Sequence, residues 1–178
     1  MFDLIWIMIL IGWNIRRLTS DRMTDLYRRD ILELLVPQFI EKLSRDGGKV
    51  TVVFFDIDGL KEINDSLGHK AGDELIIKFA SVLRSSARLP STRSGLPFSG
   101  RNLRQPDLLS HWGGDEFVAV INGNESSAIA FAERVASGAE KVGISFSYGA
   151  IEISNGDFYR ALDLADKAMY RQKNAKKA

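Results

Sequence analysis

The chain has 178 residues, 45% hydrophobic and 26% charged, the makeup of one globular domain with a substantial core. A net charge of +1 provides no broad field for nucleic acid or an anionic membrane. The absence of cysteine excludes disulfides, thiol catalysis and cysteine-held zinc and fits a reducing compartment, and two histidines, His69 and His111, are too few for a multi-histidine metal site.

Leu4 to Trp13 is an apolar run followed by Arg16 and Arg17. It is shorter than the ~20 residues that cross a bilayer, and it lacks the basic start and cleavage site of a signal peptide. Two readings stay open: the cut end of a transmembrane helix with the arginines on the cytoplasmic side, or a helix that packs on a partner. Residues 1–18 are therefore set apart, and 19–178 are expected to form one cytoplasmic domain, attached to the inner membrane on the first reading.

Within that domain, Ile31, Leu34, Leu35, Phe39, Ile40 and Leu43 recur at helical spacing, with Pro37 expected to kink the helix or start a new one. Val50 to Phe55 is a continuous β-branched and aromatic run, the mark of a buried strand. Leu75, Ile76, Phe79, Val82 and Leu83 form the next helical stripe. Residues 88–103, rich in Ser, Gly, Pro and Arg, read as an inserted surface loop. A strand pair over 108–112 and 116–121 follows, joined by a Gly-Gly-Asp turn. Ser126 or Ser127 is expected to cap a helix with Ile129, Ala132, Val135 and Ala136 inward. Ile144, Phe146, Tyr148 and Ala150 alternate as a strand, and a last helix turns Phe158, Ala161, Leu162, Ala165, Ala168 and Met169 to one side. The order predicts an α+β fold with a split βαβ core, a mostly antiparallel sheet covered by helices.

Chemistry concentrates in two acidic elements. The buried strand ends in Asp56-Ile57-Asp58-Gly59-Leu60-Lys61, which places two carboxylates at the sheet rim beside a helix start. Free N–H groups of Gly59, Leu60 and Lys61 would attract phosphate, and carboxylates beside a phosphate cradle are the parts of a magnesium–nucleotide site. The second element is the turn Gly113-Gly114-Asp115-Glu116-Phe117. Strand alternation would point Asp115 and Glu116 to opposite faces, so that only one meets the Asp56 rim.

With these motifs in view, Trp112-Gly-Gly-Asp-Glu-Phe117 resembles the signature of the GGDEF family, the diguanylate cyclases. The resemblance runs from about residue 20 to 177. It is carried also by Met23-Thr-Asp-Leu-Tyr-Arg-Arg29, Asp56-Ile-Asp-Gly-Leu-Lys61, Ile63-Asn-Asp65, Gly68-His-Lys-Ala-Gly-Asp73 and Ala165-Asp-Lys-Ala-Met-Tyr-Arg-Gln-Lys173. It implies a nucleotide-cyclase-like fold with a ferredoxin-type core. The implied reaction joins two GTP into cyclic di-GMP and two pyrophosphates, in a homodimer, for bacterial signalling. Asp56, the Ile57 carbonyl and Asp115 would hold Mg²⁺ or Mn²⁺. Asp115, Lys61 and Glu116 would form the catalytic set. Gly59, Leu60, Asn64, His69, Asp73, Lys173 and Lys177 would bind GTP. Arg104 and Asp107, five residues before the glycines, match the family's inhibitory product site. Asp25 for Gly, Leu60 for Phe, His111 for Arg and Lys177 for Arg depart from the family pattern. A non-catalytic cyclic di-GMP receptor and a GTP-binding regulatory module are the competing readings.

Overall fold

The computed structural model describes residues 18–88 and 106–176. The apolar run at the start, most of the inserted loop, Arg104 and Lys177 lie outside the described residues. The elements follow in the order β1 (Tyr27–Arg28), α1 (Arg29–Arg45), β2 (Val50–Ile57), α2 (Leu60–Leu67), α3 (His69–Ser86), β3 (Leu108–Gly113), β4 (Glu116–Asn122), α4 (Glu125–Glu140), β5 (Phe146–Glu152) and α5 (Phe158–Ala175). Among the described residues no helix is long and apolar enough to cross a membrane.

Five strands form one sheet in the order β1-β3-β4-β2-β5. Every pairing is antiparallel except that of β1 with β3. β2 lies between β4 and β5 and is buried along its whole length, which is why its sequence is apolar without alternation. Its side chains still alternate between two cores. Val53, Phe55 and Ile57 pack with Phe79 and Leu83 of α3 and Phe131 and Val135 of α4. Val50, Val52 and Phe54 pack with Val36 and Phe39 of α1 and with Phe158, Ala165 and Met169 of α5. The first core centres on Phe55, whose ring meets Phe79 and Phe131 edge-on at 6.2 and 6.0 Å.

Several local expectations need correction. α1 runs unbroken through Pro37, with Leu32, Val36, Phe39, Ile40 and Leu43 buried, so tertiary packing on both sides of the proline outweighs its lost N–H. The cap of α4 is Asn124, whose Oδ1 accepts from Ser127 N at 3.1 Å, and not either serine. The buried face of α4 is Ala128, Phe131, Ala132, Val135 and Ala139, while Ile129 and Ala136 are exposed. In an alanine-rich helix the stripe is ambiguous, and the one bulky ring, Phe131, selects the face that meets the sheet. Ile144 is buried but precedes β5, and its N–H closes the end of α4 on Ala139 O. β1, only two residues long, carries no periodicity and was not foreseen.

Asp25, which stands where the family usually has glycine, adopts φ 58°. That left-handed conformation explains the glycine, and aspartate is among the residues that tolerate it.

Candidate active site

The even-numbered positions of β2 face the α1–α5 layer, and Asp56 stands at the end of that row. Asp56, 8% exposed, continues the row of Val50, Val52 and Phe54. Its register partner on β4 is Glu116 and on β5 is Ser147. Asp115 lies not in a strand but in the two-residue turn between β3 and β4. Alternation therefore does not apply to it, and the expectation that only one acidic residue of the motif meets the rim fails. The Asp115 carbonyl accepts from Ile57 N at 3.1 Å, which ties the turn to the end of β2. The glycines permit this: Gly113 has φ 150° beside a register shift, and Gly114 has φ 58°.

The rim is an electrostatically loaded place. Burial pushes the Asp56 carboxyl above the ordinary carboxylate range, and the Asp115 and Asp58 charges push it further, against the pull of Lys173. Burial raises Glu116 as well, with Asp115 and Asp56 adding to the effect. Lys173 of α5 bonds Asp56 Oδ1 directly. Partial burial disfavours its charge, but that bond and the fields of Asp56, Asp115 and Asp58 leave it more firmly protonated than a free lysine. Asp58 is handled separately. Ser145 Oγ and Ser147 Oγ donate to it at 2.7 and 2.9 Å, and Lys176 Nζ lies 3.0 Å away. Burial opposes its ionisation, yet these bonds hold its carboxyl below the usual range.

The donor set suits a hard divalent cation: two carboxylates and a main-chain carbonyl, with Asp58 and Asp115 adding negative charge around Asp56. Among the described residues there is no cluster of three or more His, Cys, Asp or Glu side chains that could hold a metal. A set of Asp56, Asp115 and the Ile57 carbonyl would leave coordination positions to water and phosphate oxygens, as Mg²⁺ prefers.

After Asp56 the chain turns through Asp58 and Gly59, where φ is 76°, into α2. The amides of Gly59, Leu60 and Lys61 have no acceptor among the described residues, as expected at a helix start. Leu60 is buried and anchors the turn in the core, whereas Lys61 is exposed and has no ion pair among the described residues. Asn64 sits on α2 with its Oδ1 buried and unbonded. His69 opens α3 and Asp73 lies one turn on, both exposed.

Asp107 is placed differently from the expectation for a ligand group. It is 4% exposed, and its two carboxylate oxygens accept from Arg88 N at 2.9 Å and Asn122 N at 3.1 Å. It closes the neck of the inserted loop onto β4. Sequence reasoning also passed over Asp58, Ser145, Ser147 and Lys176 as a set. The signals were the Ser-x-Ser alternation opposite the rim and the spacing of Lys173 and Lys176 on one helix face. A further link joins Asp21 to His111: Asp21 Oδ1 lies 3.2 Å from His111 Nδ1, and His111 Nε2 lies 3.1 Å from Gly114 O.

A mostly antiparallel five-stranded sheet with helices on both faces and carboxylates at the end of β2 is the α+β class of domain that the sequence order predicted. The family model for "Diguanylate cyclase, GGDEF domain" matches residues 18–93 and 100–178, and the chain belongs to that family. Diguanylate cyclase DgcS of Shewanella oneidensis is 29% identical over 160 residues, 86% of this chain and 49% of that protein. Diguanylate cyclase DosC of Escherichia coli is 31% identical over 163 residues, 84% of this chain and 32% of that protein. The chain thus spans half or less of the length of these relatives. Among solved structures, the coiled coil and GGDEF domain of DgcB from Caulobacter crescentus, in complex with c-di-GMP, matches with a TM-score of 0.75 at 21% identity, covering 97% of this chain and 90% of that one. A sensory box/GGDEF family protein from the same organism matches with a TM-score of 0.68 at 26% identity, covering 88% and 99%.

Proposed function

We propose that this domain is a diguanylate cyclase that condenses two GTP molecules into cyclic di-GMP and two pyrophosphates. The observation that carries the reading is the union at one rim of Asp56, Asp115 and Glu116 with Lys173, next to the open amides of Gly59 to Lys61. The α-amides and Lys61 would receive phosphate oxygens, and Lys173 and Lys177 the terminal phosphates. Asn64, His69 and Asp73 would line the guanine and sugar pocket, where an amide and a carboxylate match the donors and acceptors of a guanine edge. Asp56, Asp115 and the Ile57 carbonyl would hold Mg²⁺ or Mn²⁺, which when bound offsets phosphate charge.

Each 3′-hydroxyl forms a bond to the α-phosphorus of the other GTP as the bond to pyrophosphate breaks. Its proton passes to a nearby base, for which Asp115 is the candidate and Glu116 the neighbouring carboxylate. One domain holds one GTP, so two copies must face each other, and dimerisation is part of catalysis. Product inhibition would rest on Arg104 as the clamp for phosphate or guanine. Asp107 supports it by fixing the backbone from which that segment departs. Attachment to the inner membrane through residues 1–15 belongs to the same proposal.

The test is incubation with GTP and Mg²⁺, followed by chromatographic separation of the nucleotides. Cyclic di-GMP is expected from the wild type and none from a folded Asp115→Ala variant. Its absence from a demonstrably dimeric wild-type sample refutes the reading.

A further inference from the structure

His111 lies in β3, just before the glycine turn, and its side chain is 10% exposed. The ring is fixed in place. It stacks on Phe117, its fully buried register partner on β4, with centroids 4.9 Å apart and planes 28° from parallel. Both ring nitrogens are engaged: Nδ1 lies 3.2 Å from Asp21 Oδ1, and Nε2 lies 3.1 Å from Gly114 O.

Both partners are acceptors. Thr24 N and Thr24 Oγ1 donate to Asp21 Oδ1 at 2.9 and 2.8 Å and favour its ionised form. The Gly114 carbonyl has no proton to give. A neutral imidazole carries one N–H, so it satisfies one of the two and turns a lone pair on the other. Only the imidazolium donates to both. The surrounding charges leave Asp21 as the ring's ionic partner. Arg28, the register partner of His111 on β1, pairs with Asp30, and Arg29 of α1 pairs with Glu33. Arg84 of α3 lies 3.8 Å from Asp25, and Asp115 follows Gly114 in the turn.

We propose that His111 is a positioning residue that works in its doubly protonated form: as an imidazolium it fastens the Gly114 carbonyl, and with it the turn that carries Asp115, to Asp21 of the segment before β1. On deprotonation the ring keeps one of its two partners and the tie is lost. Histidine is the side chain that changes charge around neutral pH, so the turn responds to pH in that range. The inference rests on the reading of Asp115 as part of a cyclase site only where activity is concerned.

The experiment is an NMR titration of the isotope-labelled full chain between about pH 5.5 and about pH 8.5, the span in which histidine titrates. The chain has two histidines, and the signal lost in His111→Gln is that of His111. At the acid end both His111 nitrogens should carry protons, and the Gly114 and Asp115 amide signals should move with the ring as it titrates. In His111→Gln those amide signals should hold still. A ring with a proton on one nitrogen throughout, or turn amides that ignore its titration, overturns the proposal. The rate of cyclic di-GMP formation is then compared with that of His111→Arg, whose side chain stays charged and has several donors. Titrations of Asp115 and of the substrate occur in both proteins and cancel in the ratio. The wild-type rate relative to His111→Arg should fall about fivefold toward the alkaline end, the worth of one hydrogen bond. A constant ratio overturns the proposed effect on the reaction. A wild type that makes no cyclic di-GMP at any pH refutes the cyclase reading instead, and the amide titration still decides whether the ring holds the turn.

Discussion

Asp56 and Glu116 are register partners across the β2–β4 ladder, so two carboxylates stand side by side at the end of a strand buried along its whole length. Like charges directly opposite each other destabilise a sheet. The fold retains them with Lys173 on one side and with the Asp115 turn bonded to Ile57 on the other. Costs of this kind concentrate at functional sites.

Asp56→Asn removes a proposed cation ligand and one member of the repelling pair. Cyclic di-GMP formation should fall by about 10²-fold or more, the usual effect of losing one preorganised electrostatic group. The urea midpoint should hold or rise. Glu116→Gln should relieve the same repulsion with a smaller loss of activity. Equal losses in the two variants would contradict the division of roles.

Lys173→Met leaves Asp56 without its counterion among three other carboxylates. The pair is partly buried, with side chains 20% and 11% exposed, so the expected loss at neutral pH is about 2 kcal/mol, below that of a fully buried pair. In an Asp56→Asn background the loss should shrink by half or more. Denaturation of the four proteins of the double-mutant cycle measures this coupling.

Acid should weaken the contact of Asp21 with Thr24 and His111. Burial works against the Asp21 carboxylate, but Thr24 Oγ1 at 2.8 Å, Thr24 N at 2.9 Å and the His111 ring hold its carboxyl below the ordinary range. A depressed folded value means the stabilisation is complete above the unfolded carboxylate pKa and is lost as pH falls through the folded one. Asp58 runs the same way, while Asp56 and Glu116, raised in the fold, regain stability as they protonate. Asp21→Asn should lower stability by about 1 kcal/mol at pH 7 and flatten the fall in melting temperature below pH 4. An acid limb as steep as the wild type's would assign that fall to other groups.

Asp107→Ala should cost about 2–4 kcal/mol, because the amides of Arg88 and Asn122 lose a buried charged acceptor. Arg104→Ala should leave the urea midpoint unchanged. If both variants abolish product inhibition, only the loss in the second reports on ligand contact.

Gly149→Ala tests the seating of α5. A Cβ there would meet Ala165 O at 2.1 Å and Met169 N at 2.6 Å, which are backbone atoms that cannot rotate away. The expected cost is about 2–3 kcal/mol from overpacking. Because α5 also carries Lys173 and is capped by Lys176, activity should fall with stability. Retained stability would mean that the helix can lift off β5 freely.

Much of this protein was legible in its residues. The β-branched run before Asp56 announced a buried strand, since a strand covered on both faces needs no polar positions. The motif residues around Asp56, Asn64, Asp73 and Asp115 named the family through their order. What a one-dimensional pattern left open was orientation. The stripe on α4 was misread because alanines are apolar all round and only the sheet chooses which of them to bury. Asp115 and Glu116 were expected on opposite faces, but alternation holds in strands and fails in the turn that two glycines make. Local residue types thus determined which elements form and which groups carry charge. The meeting of Lys173 with Asp56 and of Asp107 with Arg88 was decided by tertiary structure alone, because each depends on how far one element is rotated against another, and packing sets that angle.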